Sequence, residues 1–170
     1  MNTVTYADDG ITIQLEDRKI KICTSVIATL KKHVYDKAEA GGVLIGRENI
    51  ENHNLIIEIT TEPYRADVRK RTSFLRKDKK HIQIFKQLNI ANNNIYAYIG
   101  EWHTHSQATP YYSWKDFNNW TKIAKEFPND QCQFHIITGY EIWRLWKFDS
   151  HKKCILVAEM RVSDKYEKDN

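Results

Sequence analysis

Two histidines one residue apart, His103-Thr104-His105, close an apolar run that starts at Ala97. Seven residues later Ser113-Trp114-Lys115-Asp116 sets a hydroxyl and a carboxylate three positions apart. Alternate residues of an extended chain share a face, so both imidazoles can reach one point. Residues three apart on a helix also share a face, so Ser113 and Asp116 project together. The loop between them, residues 106–112, is long enough to fold the helix start back over the histidines. Two imidazoles and one carboxylate make a three-ligand corner with one position left open, the pattern of a catalytic zinc centre rather than a closed structural one. A zinc ion held by His103, His105 and Asp116 keeps a water in that position and lowers its pKa towards ~7.

Hydrolysis at such a centre also needs a proton acceptor, and a carboxylate suits the task. Glu39 is the candidate, because it stands at the head of the glycine-flanked apolar run Gly41-Gly42-Val43-Leu44-Ile45-Gly46, where a lone acid has no obvious core role. Ser113 is placed to donate a hydrogen bond to the oxyanion that develops on an attacked carbonyl. Each feature alone has a plainer reading. The histidines can be packed or exposed strand residues, Ser113-x-x-Asp116 is also a capping-box pattern, and Glu39 can be a solvated acid. The conjunction of acid, glycine-flanked strand, His-x-His and Ser-x-x-Asp is what points to chemistry.

The elements that must carry these side chains follow from the hydrophobic pattern. Residues 11–15 and 19–23 alternate apolar and polar and read as a hairpin. Thr24 or Ser25 can cap a first helix, with Ile27, Leu30 and Val34 on one face and an end near Asp36. Residues 41–46 suit a buried central strand, and 55–61 pair back on it antiparallel. The basic stretch 62–80 reads as a long surface loop with a short strand at 73–75. Asp78 can cap a second helix running to Leu88, with Ile82, Phe85 and Leu88 on one face and Asn92-Asn93-Asn94 breaking it. The strand into His103 is followed by a third helix from Ser113 to about Lys125, stopped near Pro128. Strand-like runs at 133–138, 141–148 and 154–162 precede a charged tail, 164–170, read as frayed. No repeat or composition break divides the chain. The expectation is one domain over residues 1–170, of α/β (α+β) class, with a mixed, mostly antiparallel sheet flanked by helices.

Composition narrows the function classes. The chain of 170 residues is 41% hydrophobic and 28% charged, ordinary for a soluble globular protein. Five Trp and nine Tyr against few Gly and Pro exclude a low-complexity chain. A formal charge of +4 favours an acidic partner surface but is too small to mark a nucleic-acid binder. Cys23, Cys132 and Cys154 form no Cys-x-x-Cys pair and read as buried, reduced thiols of a cytosolic protein. No apolar run approaches ~18 residues, and the first ten residues carry no signal pattern. A soluble, cytoplasmic protein without a membrane partner is expected. Trp102 should face the core, opposite His103, and Trp114 and Trp120 should pack along the third helix. His135 reads as a satisfied sheet histidine. The basic segment 65–80 either grips an acidic partner or substrate tail, or is a solvated loop.

The combined pattern resembles the JAMM (MPN-type) metalloprotease family and, for a chain this small, its prokaryotic JAB branch. The matches are Glu39 with 41–46, then His103, His105, Ser113 and Asp116, with no departure in the His-to-Asp spacing. Ser106 stands where many relatives have proline, which bears only on loop rigidity. The resemblance implies a JAB/MPN, cytidine-deaminase-like architecture and one zinc per chain on His103, His105 and Asp116. It implies Glu39 as general base and then acid, and Ser113 as oxyanion stabiliser. The implied activity is that of a deubiquitinase-like isopeptidase, cutting the amide bond after the C-terminus of a ubiquitin-like protein. Residues 100–105 and the arginine-rich approach to Phe74-Leu75-Arg76 resemble, more particularly, the JAB isopeptidases of bacterial ubiquitination-like operons, especially those of CBASS antiphage systems. That implies deconjugation at the C-terminal tail of a nucleotidyltransferase. Rival readings are a JAB peptidase acting on a sulfur-carrier protein adduct or a phage-tail or cell-wall peptide, and a non-catalytic MPN-type scaffold. A nucleic-acid-binding domain using residues 65–80 would show itself by salt-dependent binding.

Overall fold

The computed structural model describes residues 2–126 and 132–162. Strands β1 (Thr3–Ala7), β2 (Gly10–Gln14) and β3 (Lys19–Cys23) form an antiparallel meander. Helix α1 (Thr24–Lys31) leads to the antiparallel pair β4 (Gly41–Glu48) and β5 (Leu55–Thr60), then to a small hairpin of β6 (Val68–Lys70) and β7 (Ser73–Leu75). Helix α2 (Lys80–Ala91), strand β8 (Ala97–Thr104) and helix α3 (Trp114–Glu126) follow. The strands β9 (Gln133–Thr138), β10 (Trp143–Phe148) and β11 (Cys154–Met160) complete the described chain. The main sheet has the order β1-β2-β3-β5-β4-β8-β9-β10-β11. Its pairs are antiparallel except β3–β5 and β8–β9, which makes the sheet mixed and mostly antiparallel, as expected. Strand twist coils it until its edges meet: Asn2 Nδ2 donates to the Val157 carbonyl at 2.8 Å, and the Arg161 N–H to the Tyr6 hydroxyl at 2.8 Å.

Alternation along β8 and β9 separates two cores. Trp102 and Ile136 join Leu44, Ile57 and the α1 residues Val26, Ile27 and Leu30 on one face. Ile137 joins Trp120, Ile123, Trp146 and Phe148 on the other, where α3 docks. His103 and His105 alternate with Trp102 and therefore belong to the α3 face. Trp102 is 1% exposed and its indole N–H donates to the Thr61 carbonyl, so its expected core role holds.

Several expectations need correction. Helix α1 stops at Lys31 rather than near Asp36. Beyond it the chain makes tight turns, with the His33 N–H on the Leu30 carbonyl, while the His33 ring is drawn to Asp36 and Glu62. Val34 is still buried, so its apolar spacing is satisfied by turns and not by helix. Helix α2 runs on to Ala91, and Asn93 and Asn94 end it with φ of 55° and 57°, the left-handed region that asparagine tolerates. Asp78 does bond the Lys80 N–H. Strands β1 and β6 carried too little pattern to be read. Trp114 is exposed, stacked on Phe117, whereas Trp120 is packed as expected. The cysteines are free but half-buried, not buried. The expected stop near Pro128 and the tail 164–170 lie outside the described residues. Among the described residues no helix is long and apolar enough to cross a membrane.

Candidate active site

The pairing of β4 with β8 brings Glu39 to the histidines. Because the two strands are antiparallel, the start of β4 lies beside the end of β8, with Gly41 opposite His103. The Ala40 N–H donates to Thr104 Oγ1 at 3.0 Å and the Thr104 N–H to the Ala40 carbonyl at 2.9 Å, which ties the residue after Glu39 to the residue between the histidines. The β6–β7 hairpin holds the other side. The Glu39 N–H donates to the Lys70 carbonyl at 2.8 Å, and Arg69 donates to the carbonyls of Glu39 and Ala38 and to the Asp36 carboxylate. Gly41 is required here, since a Cβ would lie 2.5 Å from the Phe74 ring and 2.7 Å from the Trp102 carbonyl.

Residues 106–112 return the chain to the site, and Ser113 begins α3 with a reciprocal cap. The Ser113 N–H donates to Asp116 Oδ2 at 2.7 Å and the Asp116 N–H to Ser113 Oγ at 3.2 Å. This is the capping-box geometry, and it aims the Asp116 carboxylate at the strand end. Asp116 Oδ1 lies 3.1 Å from His103 Nε2, Asp116 Oδ2 lies 3.2 Å from His105 Nε2, and the two Nε2 atoms are 3.0 Å apart. The Glu39 carboxylate stands off from this trio, 4.0 Å from His105 Nε2. Ser113 is exposed, and accepting a bond at Oγ leaves its O–H proton free to donate.

The donor set fits a small cation. Zinc is bound by imidazole nitrogens and carboxylate oxygens at about 2.0–2.2 Å, and here one ligand atom from each of His103, His105 and Asp116 lies within 4.8 Å of the other two. The charges agree. Burial opposes ionisation of Asp116, but His103, His105 and the Ser113 N–H outweigh it and hold the carboxyl far below its ordinary range. Burial disfavours charge on His103, yet Asp116, with Glu39 and Glu101, raises its pKa above 6.5. Burial lifts the Glu39 carboxyl above its ordinary 4.5, against the lowering pull of the two histidines. All five residues singled out from the sequence therefore meet. Thr104 and Arg69, which position Glu39, were not singled out, because Thr104 alternates away from the histidines and Arg69 was one cation of a basic run.

His135 is fully buried on β9 and stacks on Trp120 at 4.5 Å. Its Nδ1 accepts the Glu101 N–H, and burial pushes its pKa down to about 3. Its Nε2 has no hydrogen-bond partner among the described residues, so the expectation of a satisfied histidine is only half met.

A mixed sheet, a helix returning a carboxylate to a strand-end His-x-His, and a buried glutamate beside them define the JAB class. The sequence profile of prokaryotic homologs of the JAB domain matches residues 23–149, and the chain belongs to that family. A protein of Escherichia coli named "CD-NTase/cGAS isopeptidase" is 33% identical over 71% of this chain and 74% of its own. One of the same name from Pseudomonas aeruginosa is 28% identical over 78% and 81%. The solution structure of a Desulfitobacterium hafniense protein shares the fold at a TM-score of 0.50, with 14% identity over 85% of this chain and 91% of that one.

Proposed function

We propose that this protein is a zinc-dependent isopeptidase that releases a nucleotidyltransferase of the CD-NTase type from conjugates formed through its C-terminus, in the cytoplasm of a bacterium carrying a CBASS-type antiphage operon. The names of the two relatives support the substrate, and the convergence of Glu39 on His103, His105 and Asp116 carries the chemistry.

His103, His105 and Asp116 would hold the zinc. When bound, zinc supplies a Lewis-acidic centre that lowers the pKa of a water to about 7. Glu39, 4.0 Å from His105 Nε2, takes the proton of the attacking water as a new C–O bond forms at the tail carbonyl. Its raised pKa suits both halves of the task, since the protonated acid then gives that proton to the departing lysine amine as the C–N bond breaks. The Ser113 O–H donates to the oxyanion in between.

The test uses the purified, zinc-loaded chain and a nucleotidyltransferase joined through its C-terminus to a lysine side chain of a carrier protein. The intact nucleotidyltransferase with a free C-terminal carboxylate is expected, identified by mass spectrometry. The reading falls if a protein holding one zinc per chain leaves the conjugate uncut, or if Glu39→Ala cuts it at the wild-type rate.

A further inference from the structure

A groove of about 370 Å³ opens directly beside Ser113 and Asp116, between the β6–β7 hairpin and α3. Its helical wall presents Lys115, Asn118, Asn119 and Lys122, residues spaced three, four and seven apart along one face. Across from them stand Lys70, Ser73 and Phe74 of the hairpin. Among the described residues none of the three lysines has an ion-pair partner. Other cations of the same basic stretch are committed elsewhere: Arg69 to Asp36 and Arg76 to Glu101. Asp116 is the one acid of the lining, and its carboxylate faces the two histidines.

A groove with three unpaired ammonium groups and one neutralised acid repels a basic peptide and attracts an acidic one. Its length can be estimated: Lys115 and Lys122 lie two helical turns apart, about 10 Å, and alternate residues of an extended chain lie about 7 Å apart, a difference that two flexible lysine stems span. Alternate side chains of such a chain point the same way. We propose that this groove selects substrate tails carrying acidic side chains at alternate positions just before the scissile bond, with Lys115 nearest the bond and Lys122 furthest from it. Lys70 supplies the opposing contact. The inference rests on the isopeptidase reading for what enters the groove, but the preference itself is a property of the lysines and can be read without turnover.

The probes are three fluorescein-labelled hexapeptides ending in a free carboxylate, with Glu, Gln or Lys at the second and fourth residues from that end. Anisotropy titrations on the zinc-loaded chain are expected to show the Glu peptide bound roughly three- to tenfold more tightly than the Gln peptide. The Lys peptide is expected to bind most weakly, and the spread to narrow as salt is raised. Lys115→Glu/Lys122→Glu inverts the order. Lys79→Glu/Lys86→Glu, an equal change of net charge outside the groove, keeps it. Equal binding of the three peptides, no binding of any, persistence of the order after charge reversal at Lys115 and Lys122, or its loss in the control variant each overturns the proposal. Coumarin amides of the same sequences separate the two readings. A preference for Glu without hydrolysis sinks the hydrolase reading and leaves the groove assigned, whereas hydrolysis without preference sinks the groove alone.

Discussion

Glu39 is kept 6% exposed beside two imidazoles and a carboxylate, a position that suits the proton transfer proposed for it at the expense of stability. Burial raises its folded-state pKa above the ordinary 4.5, so the folded chain holds this proton more tightly than the unfolded one. The penalty is absent below the unfolded value, grows as pH rises through the folded one, and is complete above it. Glu39→Gln is therefore expected to raise the melting temperature of the chelated protein at pH 7 and to leave it unchanged near pH 4. In the zinc-loaded protein it lowers kcat by about 10²–10⁴-fold with zinc still near one per chain. Thermal scans across pH and metal analysis check both halves, and a variant less stable than wild type at pH 7 would contradict the argument. The helix cap that Ser113 makes and the oxyanion contact proposed for it are separated by one substitution. Glycine caps a helix within a few tenths of a kcal/mol of serine but has no hydroxyl to offer. Ser113→Gly should keep a near-native melting temperature while losing about 10²–10³-fold in kcat; a loss confined to stability would leave Ser113 as a cap only.

The β6–β7 hairpin holds Glu39, and what anchors the hairpin is a buried trio that uses none of the candidate site residues. His81, the buried residue of α2, bonds Asp67 Oδ2 through Nε2 at 2.6 Å and Thr61 Oγ1 through Nδ1 at 2.6 Å. Asp67 also accepts the N–H groups of Tyr64, Lys77 and Asp78, pinning both ends of the stretch that contains the hairpin. Burial opposes ionisation of Asp67, but these bonds win and hold its carboxyl below the ordinary 3.8. The stability it adds is present above that value and is lost as pH falls through the folded one. Removing the imidazole takes one of four hydrogen bonds from the buried carboxylate, so His81→Ala is expected to cost about 1–3 kcal/mol and to open residues 62–79 to limited proteolysis. Asp67→Asn should differ from wild type in denaturant midpoint at pH 7 and converge with it in strong acid. None of this was legible in the sequence. His81 looked like one more polar residue on a lysine-rich helix, and Asp67 like one acid in a basic loop, because a side chain buried by tertiary contact leaves no periodic trace. The candidate site residues were legible for the opposite reason. His103 with His105, and Ser113 with Asp116, are each placed by local geometry, at two residues on a strand and three on a helix. Glu39 could be added because Gly41 and Gly42 mark a strand that must be approached closely. Strand pairing then closes the distance from Glu39 to Thr104, which spacing alone cannot show. The groove lysines were visible only as charge, since which of them are free depends on where Arg69 and Arg76 find their acids.

For the whole molecule, the question is how far the fold depends on the cation. His103 sits on β8, in the middle of a nine-stranded sheet with β4 and β9 on either side, and His105 follows one residue past the strand end, where its N–H donates to the Thr138 carbonyl; backbone pairing secures both. Asp116 sits on α3, which docks separately through Trp120 and Ile123 against Ile137, Trp146 and Phe148. Each ligand-bearing element therefore has its own packing, unlike a small metal-folded domain that lacks a core. Without the cation, two imidazole nitrogens and a carboxylate still face one another within 3.2 Å, and the attraction of Asp116 for a proton on His103 offsets part of that cost. Chelation is expected to abolish cleavage and lower the melting temperature by the linkage term alone, equivalent to about 4 kcal/mol at a zinc level a thousandfold above Kd, with far-UV circular dichroism unchanged. Hydrogen exchange should accelerate in residues 106–112 and the first turn of α3, where Asp116 loses its tether, and stay slow in β4 and β8. Added zinc should reverse both effects. Loss of secondary structure on chelation would mean instead that the sheet and α3 do not hold their places without the metal.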